Sequence, residues 1–435
     1  MGFRGGTLRG DFFCQILAFA FLSPLSLASD TSKSTDNSFA IESVNEVKTL
    51  KVLIENITDK KSNTFKFKGQ ALMSSDGSVR GAKDFNCHRE TLLATSLLSL
   101  TPKVGAAKTL RWICRTQRAS LQVLGSLSFT DRSGFFQIED RWYRGSLELR
   151  DTGNSLLVIN HVPLDDYISS LLHGEMPHYF ESEALKAQAI AARSYAVATA
   201  LDRRRAGTPF DLLDNPKDQV YPGAHRESSK GNLANEETKG QFLLFDGKVL
   251  KSFYHAASGG FSELPAAVWQ DRIEKSYSAY QARPNIYDKG KYEWQLSLSS
   301  YMFESAFSIG KLIDLRVHTR TIGNRVQALE LVGSERSSII QLRSLRKLLS
   351  SISLKSLKFD VIKEASAWKL KGEGWGHGVG LSQIAAQNMA KLGQNYKDIL
   401  RFHYPLSQLA EIKKGKLKTI DLEKENSQQF VVQAR

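Results

Sequence analysis

The chain has 435 residues, and 59 Lys and Arg against 45 Asp and Glu give it a net charge of +14. An apolar fraction of 41%, 10% aromatics and only 10 prolines exclude collagen-like, disordered and multi-span membrane chains. The basic excess suits any polyanion, whether nucleic acid, anionic lipid or an acidic wall polymer, and composition chooses none of them.

At the N-terminus, Arg4 and Arg9 precede an apolar run of 11 residues, 12–22, broken only by Gln15. Pro24 and Ser26-Leu27-Ala28 follow. The pattern predicts a secretory signal peptide over residues 1–28, cut after Ala28. The run is shorter than the roughly 20 residues of a spanning helix. The expectation is an exported protein, in periplasm or cell wall, with no stable membrane anchor after cleavage. Cys14 leaves with the signal. Cys87 and Cys114 remain, either as a disulfide or as two buried thiols. With no CxxC and no HExxH, no metal site is expected.

Residues 29–46, rich in Ser, Asp, Thr and Asn, read as a linker to a strand-rich region over 47–142. Strand patterns fall at 50–54, 64–67, 121–129, 135–138 and 144–149, with turn signals at 75–78 and 131–134. A further strand at 156–160 leads to a turn at Pro163. Leu164, Tyr167, Ile168, Leu171 and Leu172 then mark an amphipathic helix. Residues 184–200 hold eight alanines in 17, with Ser182 as the expected N-cap. Such small side chains predict a helix closely surrounded by other backbone. It ends at Arg203–Arg205 and Gly207-Thr208-Pro209. Strand patterns return at 241–245, 249–255, 314–319 and 325–332, and short helices are expected at 382–392 and 396–403. Residues 411–435 read as a polar tail. Strand clusters with a few segregated helices predict an α+β fold.

Four blocks could carry chemistry. In His173-Gly174-Glu175-Met176-Pro177 the carboxyl lies on an angular joint between two helices, where apolar neighbours would raise its pKa toward that of a general acid. Spacing alone leaves open a Glu that merely interacts with helix-end amides. In Gly372–Gly380 glycine recurs at every second position. On an extended segment this lets another backbone or a flat sugar ring approach one side, with Trp375 and His377 on the other. A structural hairpin edge is the alternative, while a phosphate cradle would need a different glycine phase. Ser258-Gly259-Gly260 follows His255, but Ala256 stands where a nucleophile elbow needs its first glycine. The fourth block, Asp218-Gln219-Val220-Tyr221-Pro222-Gly223, is uninformative by itself.

Together the blocks resemble the SpoIID/LytB family of cell-wall proteins. The stretches are 143–200 with GEMP and EALKAQAIAARSYA, 218–269 with DQVYPG and ASGGFSE, and 372–404 with GEGWGHGVGLSQ and HYP. A SpoIID/LytB-like domain is thus expected over 143–410, with a central Ala-rich helix and two short C-terminal helices; residues 56–142 match poorly and read as an elaboration. The resemblance implies a peptidoglycan lytic transglycosylase acting on peptide-free glycan strands, with Glu175 as acid and then base. Gln219, Tyr221, Ser258, His377, Ser382 and Gln383 would bond the sugars, Trp375 would stack on a ring, and Gly259 and Gly260 would belong to the same binding surface. No cofactor is implied. The expected partners are glycan strands rather than nucleic acid; because the family also contains amidase enhancers, the alternative is a non-catalytic peptidoglycan-binding protein that stimulates a cell-wall amidase. Some members bind zinc through His and Cys after the long helix, but residues 210–225 contain no cysteine.

Overall fold

The computed structural model describes residues 38–54, 64–68, 84–92, 109–115, 120–123, 126–152, 155–269, 275–341, 354–364 and 367–420. The expected signal peptide and the 75–78 turn lie outside them. The fold is mixed α+β. Its first part is helix α1 (Ser38–Glu46) followed by strands β1 (Thr49–Leu53), β2 (Thr64–Lys68), β3 (Asp84–Leu92), β4 (Thr109–Arg115), β5 (Ser120–Val123), β6 (Ser126–Ile138), β7 (Arg141–Asp151) and β8 (Leu156–Pro163). With β9 (Leu212–Leu213) these form one nine-stranded sheet in the order β5-β4-β3-β2-β6-β7-β8-β1-β9. Strand β7 crosses the expected boundary at 142/143, so both sides share a sheet. Cys87 and Cys114 face each other across β3 and β4 and form a disulfide.

Three expectations are corrected here. The linker is helical over its described part, because Ala40 and Ser43 are buried as α1 packs on the long helix. Residues 131–134 do not end a strand. They form a bulge between Thr130 and Phe135 in a continuous β6, opposite Gly145 of β7. The presumed tail starts as a hairpin, β20 (Gln408–Lys413) and β21 (Lys416–Ile420), in which Leu409 and Ile412 are buried. β20 pairs with β10 (Gln241–Phe245), which also pairs with β11 (Lys248–Val249); the run 249–255 is thus split between β11 and β12 (Tyr254–His255).

Behind the large sheet, α2 (Leu164–Glu175) leads into α3 (Ser182–Arg205). Glu181, not Ser182, occupies the N-cap of α3. Nearly every residue from Ala184 to Leu201 is buried, so the alanines do serve close packing, against α4 (Ser229–Glu237), α7 (Gln383–Lys391) and α8 (Tyr396–His403). Ser182 and Arg205 thus bound the helix around which the main core is built. Between α5 (Pro265–Val268) and α7 lies a strand module with a second hydrophobic core. It contains β13 (Glu293–Leu298), α6 (Ser300–Phe307), β14 (Leu312–Arg320), β15 (Val326–Gly333), β16 (Ser337–Gln341), β17 (Phe359–Lys363) and β18 (Trp368–Glu373). Its sheets are β14-β15-β16 and β13-β18-β17. β19 (Leu381–Ser382) returns the chain to the main core beside β12.

Candidate active site

Glu175 is the last residue of α2, and Met176 caps that end with its N–H on the Leu172 carbonyl. The adjacent glycine has a steric purpose. A Cβ on Gly174 would lie 2.6 Å from the Val220 carbonyl oxygen and 2.7 Å from Pro222. Its absence lets the 218–222 segment press on the helix end, and the Val220 N–H donates to Glu175 Oε1 at 2.6 Å. Tyr254 and Gln383 add side-chain hydrogen bonds to the carboxyl. Glu175 is half-buried, with part of its surface on a cleft, yet protein crowds the carboxyl. This desolvation outweighs the three hydrogen bonds and pushes the pKa up to about 7.

The cleft is about 1460 Å³ and brings together Glu175, Tyr254, Gln383, Trp269, Trp375 and His377. Its other carboxylates are engaged. Asp218 pairs with Arg203 at 2.6 Å and Asp202 with Lys251 at 3.1 Å. His255 is buried and neutral, its pKa pushed down to about 3 by burial and by the Arg325 charge. Its Nδ1–H donates to the Val379 carbonyl at 3.1 Å. In His377 the Nδ1 accepts the Val379 N–H at 3.0 Å, so a neutral ring carries its proton on Nε2. That ring lies 5.1 Å from Trp269 between centroids. Trp375 is 44% exposed, and one face of its indole is taken by the Lys355 ammonium at 4.2 Å.

Most of the remaining expected contact residues are buried behind the cleft wall and bonded to protein groups, with Gly260 half-buried. Gln219 is fully buried, accepting from Tyr167 Oη at 3.0 Å and donating to Tyr254 Oη at 3.0 Å. That donation turns the Tyr254 hydroxyl proton away from Gln219 and toward Glu175. Tyr221 is also buried, bonded to Asn160 at 2.9 Å. Ser258, Gly260 and Ser382 converge on Asp288: the Ser258 hydroxyl at 2.7 Å, the Gly260 N–H at 2.9 Å and the Ser382 hydroxyl at 2.6 Å. Gly259 adopts φ +71°, and its carbonyl accepts from Lys358. Each buried group has a protein partner and so is spent on holding the loops.

The glycine-alternating segment also differs from expectation. It is not extended, because Gly374, Gly376, Gly378 and Gly380 all have positive φ. The side a Cβ would occupy is filled by the chain itself: at Gly380 it would overlap the Phe253 carbonyl, and at Gly378 the Arg325 guanidinium. The glycines therefore admit protein rather than sugar. Arg325, from the turn between β14 and β15, donates to the Gly376 carbonyl at 3.2 Å and the Ser258 carbonyl at 3.0 Å. It joins both loops to the strand module. Asp288, Arg325 and Tyr254 carried no motif signal. The 249–255 strand pattern does contain Tyr254, and alternation outward beside His255 was the available hint.

This geometry coincides with two family matches. Residues 152–245 match SpoIID, described as stage II sporulation protein, and residues 289–380 match a domain of unknown function (DUF8618). The chain is 28% identical over 270 residues to an uncharacterized protein of Brachyspira hyodysenteriae, covering 60% of this chain and 70% of that one. It is 25% identical over 280 residues to stage II sporulation protein D of Bacillus amyloliquefaciens, covering 58% and 76%. An amidase enhancer of Bacillus subtilis is 26% identical over 292 residues, covering 55% of this chain but 39% of the relative. Residues 152–245 thus carry a SpoIID match, and these relatives support a SpoIID family assignment. Among the described residues no helix is long and apolar enough to cross a membrane.

Proposed function

We propose that the chain is an exported, cell-wall-directed lytic transglycosylase that cleaves the bond from N-acetylmuramic acid to N-acetylglucosamine in peptidoglycan strands. The SpoIID match over residues 152–245 and the relatives that share it support the cell-wall role. The observation that carries the chemistry is Glu175, a carboxyl open to the cleft with its pKa pushed up to about 7. At neutral pH a large share of it holds a proton, as a general acid must. It gives that proton to the leaving glycosidic oxygen as the C1–O bond breaks through an oxocarbenium-like state. The C6 hydroxyl of the same muramic residue then attacks C1, and its proton passes to the Glu175 carboxylate. The product is a 1,6-anhydro end, no water is consumed, and Glu175 is protonated again. The intervening carboxylate is stabilised by the Val220 N–H, Tyr254 and Gln383. One carboxyl suffices for both steps, consistent with the ion pairing of Asp218 and Asp202.

Mass spectrometry of peptide-free and intact peptidoglycan, incubated with wild type and Glu175→Gln, tests the reading. Anhydro ends from wild type and their loss in the variant are expected. No anhydro product from either substrate overturns it, and reducing ends would make the chain a hydrolase. The likeness to an amidase enhancer favours one second reading, a peptidoglycan-binding protein that stimulates an amidase. In that case stimulation survives Glu175→Gln.

A further inference from the structure

Helix α7 carries its surface beyond the cleft. Gln383, in its first turn, bonds Glu175, while Ile384, Gln387, Asn388 and Lys391 line a second pocket of about 370 Å³ with Tyr179, Lys291 and Tyr292. At 1.5 Å per residue, Gln383 and Lys391 lie roughly 12 Å apart along the helix. The pockets meet at a pair of rings. Trp375 lines the cleft, Tyr292 lines the second pocket, and they pack edge to face at 5.9 Å between centroids. Tyr292 has φ +59°, a left-handed conformation that bulky side chains avoid and that accumulates at functional sites. Its carbonyl is tied to the Gly374 N–H at 3.0 Å. Tyr179 is 68% exposed and Tyr292 46%, so two amphipathic rings stand open in this pocket.

Charge narrows what these rings receive. Among the described residues, neither Lys291 nor Lys391 is ion-paired with a carboxylate. The Lys355 ammonium stands at the junction, over Trp375. Rings that take the apolar face of a sugar, beside ammonium groups that take an anion, fit an acidic saccharide. We propose that this pocket is a second saccharide subsite, holding a sugar whose free carboxylate lies against Lys291 and Lys391, as in muramic acid without its peptide. A peptide on that lactyl group turns the carboxylate into an uncharged amide and removes the contact. The inference rests on the glycan-cleaving reading only for the identity of the polymer.

The test is calorimetric binding to the full chain carrying Glu175→Gln, which prevents turnover. The probes are a peptide-free peptidoglycan oligomer, the same oligomer with its lactyl carboxylates amidated by methylamine, and an N-acetylglucosamine oligomer of equal length. The peptide-free oligomer is expected to bind about tenfold more tightly than the other two, the scale of two exposed ion pairs, with the advantage shrinking in salt. Adding Lys291→Gln and Lys391→Gln should erase that advantage without changing the other affinities. Tyr292→Ala should weaken all three. Equal binding of the probes, no binding of any, or uniform weakening by the lysine changes overturns the proposal. Carboxylate-dependent binding by a chain whose wild type releases no anhydro product would sink the enzymatic reading and leave the subsite standing.

Discussion

Glu175 ends a helix set against the main core, whereas the glycine loop facing it extends from a strand module with a separate core. The acid is shaped by several effects: crowding by the surrounding protein, one backbone N–H and two side-chain hydrogen bonds. The two cleft loops depend on a few strong ones, chiefly Arg325 on Ser258 and Gly376 and Lys358 on Gly259. The acid's protonation is thus a property of the main core, while the shape of the cleft is set from the inserted module. The segment that matches a domain of unknown function thus has a definite structural task here.

Glu175→Gln should lower cleavage by about a thousandfold, the scale of lost general acid catalysis, measured as anhydro-product formation. The same variant reports on desolvation. Because the folded pKa of about 7 lies above the ordinary 4.5, the native state keeps a proton that the unfolded chain loses between those values. Wild-type stability therefore falls as pH rises from about 4.5 to about 7 and stays lower above it. Glu175→Gln lacks this loss and should be relatively more stable at pH 8 than at pH 4, by roughly 3 kcal/mol, in denaturant titrations at the two pH values. Wild-type cleavage should decline as pH rises through about 7.

Arg325→Met addresses the other half. It leaves the buried Ser258 carbonyl and the half-buried Gly376 carbonyl without this donor, at about 2–3 kcal/mol, and should cut cleavage by tens-fold while leaving the basic limb of the pH profile near 7. A shifted limb would show that the module also sets the acid. Tyr254→Phe should have a smaller effect, about tenfold on rate by the loss of one charge-assisted hydrogen bond. It should move the basic limb upward, since the Tyr254 bond lowers the Glu175 pKa. Least affected should be Cys87→Ser with Cys114→Ser. Neither cysteine lines the cleft, so the rate per folded molecule should persist while thermal stability drops by about 3 kcal/mol.

Much of the site was legible because its residues are contiguous: GEMP carries Glu175, and the 372–383 run carries Trp375, His377 and Gln383. What could not be read is which side of the cleft wall a polar residue serves. Gln219, Tyr221, Ser258 and Ser382 have side chains equally suited to sugar hydroxyls and to buried protein groups, and their neighbours in sequence do not distinguish the two. Asp288, by contrast, gathers three of the loop groups from a stretch with no pattern at all.

The net charge of +14 says only that an anionic partner is favoured; the open Lys291 and Lys391 supply its candidate address. By itself the sequence determined the Ala-rich helix, the helix pair at 383–403 and the joint bearing Glu175, because local propensity and periodicity act over a few residues. Only the tertiary structure decided that the glycines receive backbone and Arg325, that Gln219 supports Tyr254, and that the carboxyl is desolvated enough to hold a proton near pH 7. Those depend on groups brought together from distant positions, and desolvation is a property of everything around the carboxyl rather than of the residues beside it in the chain.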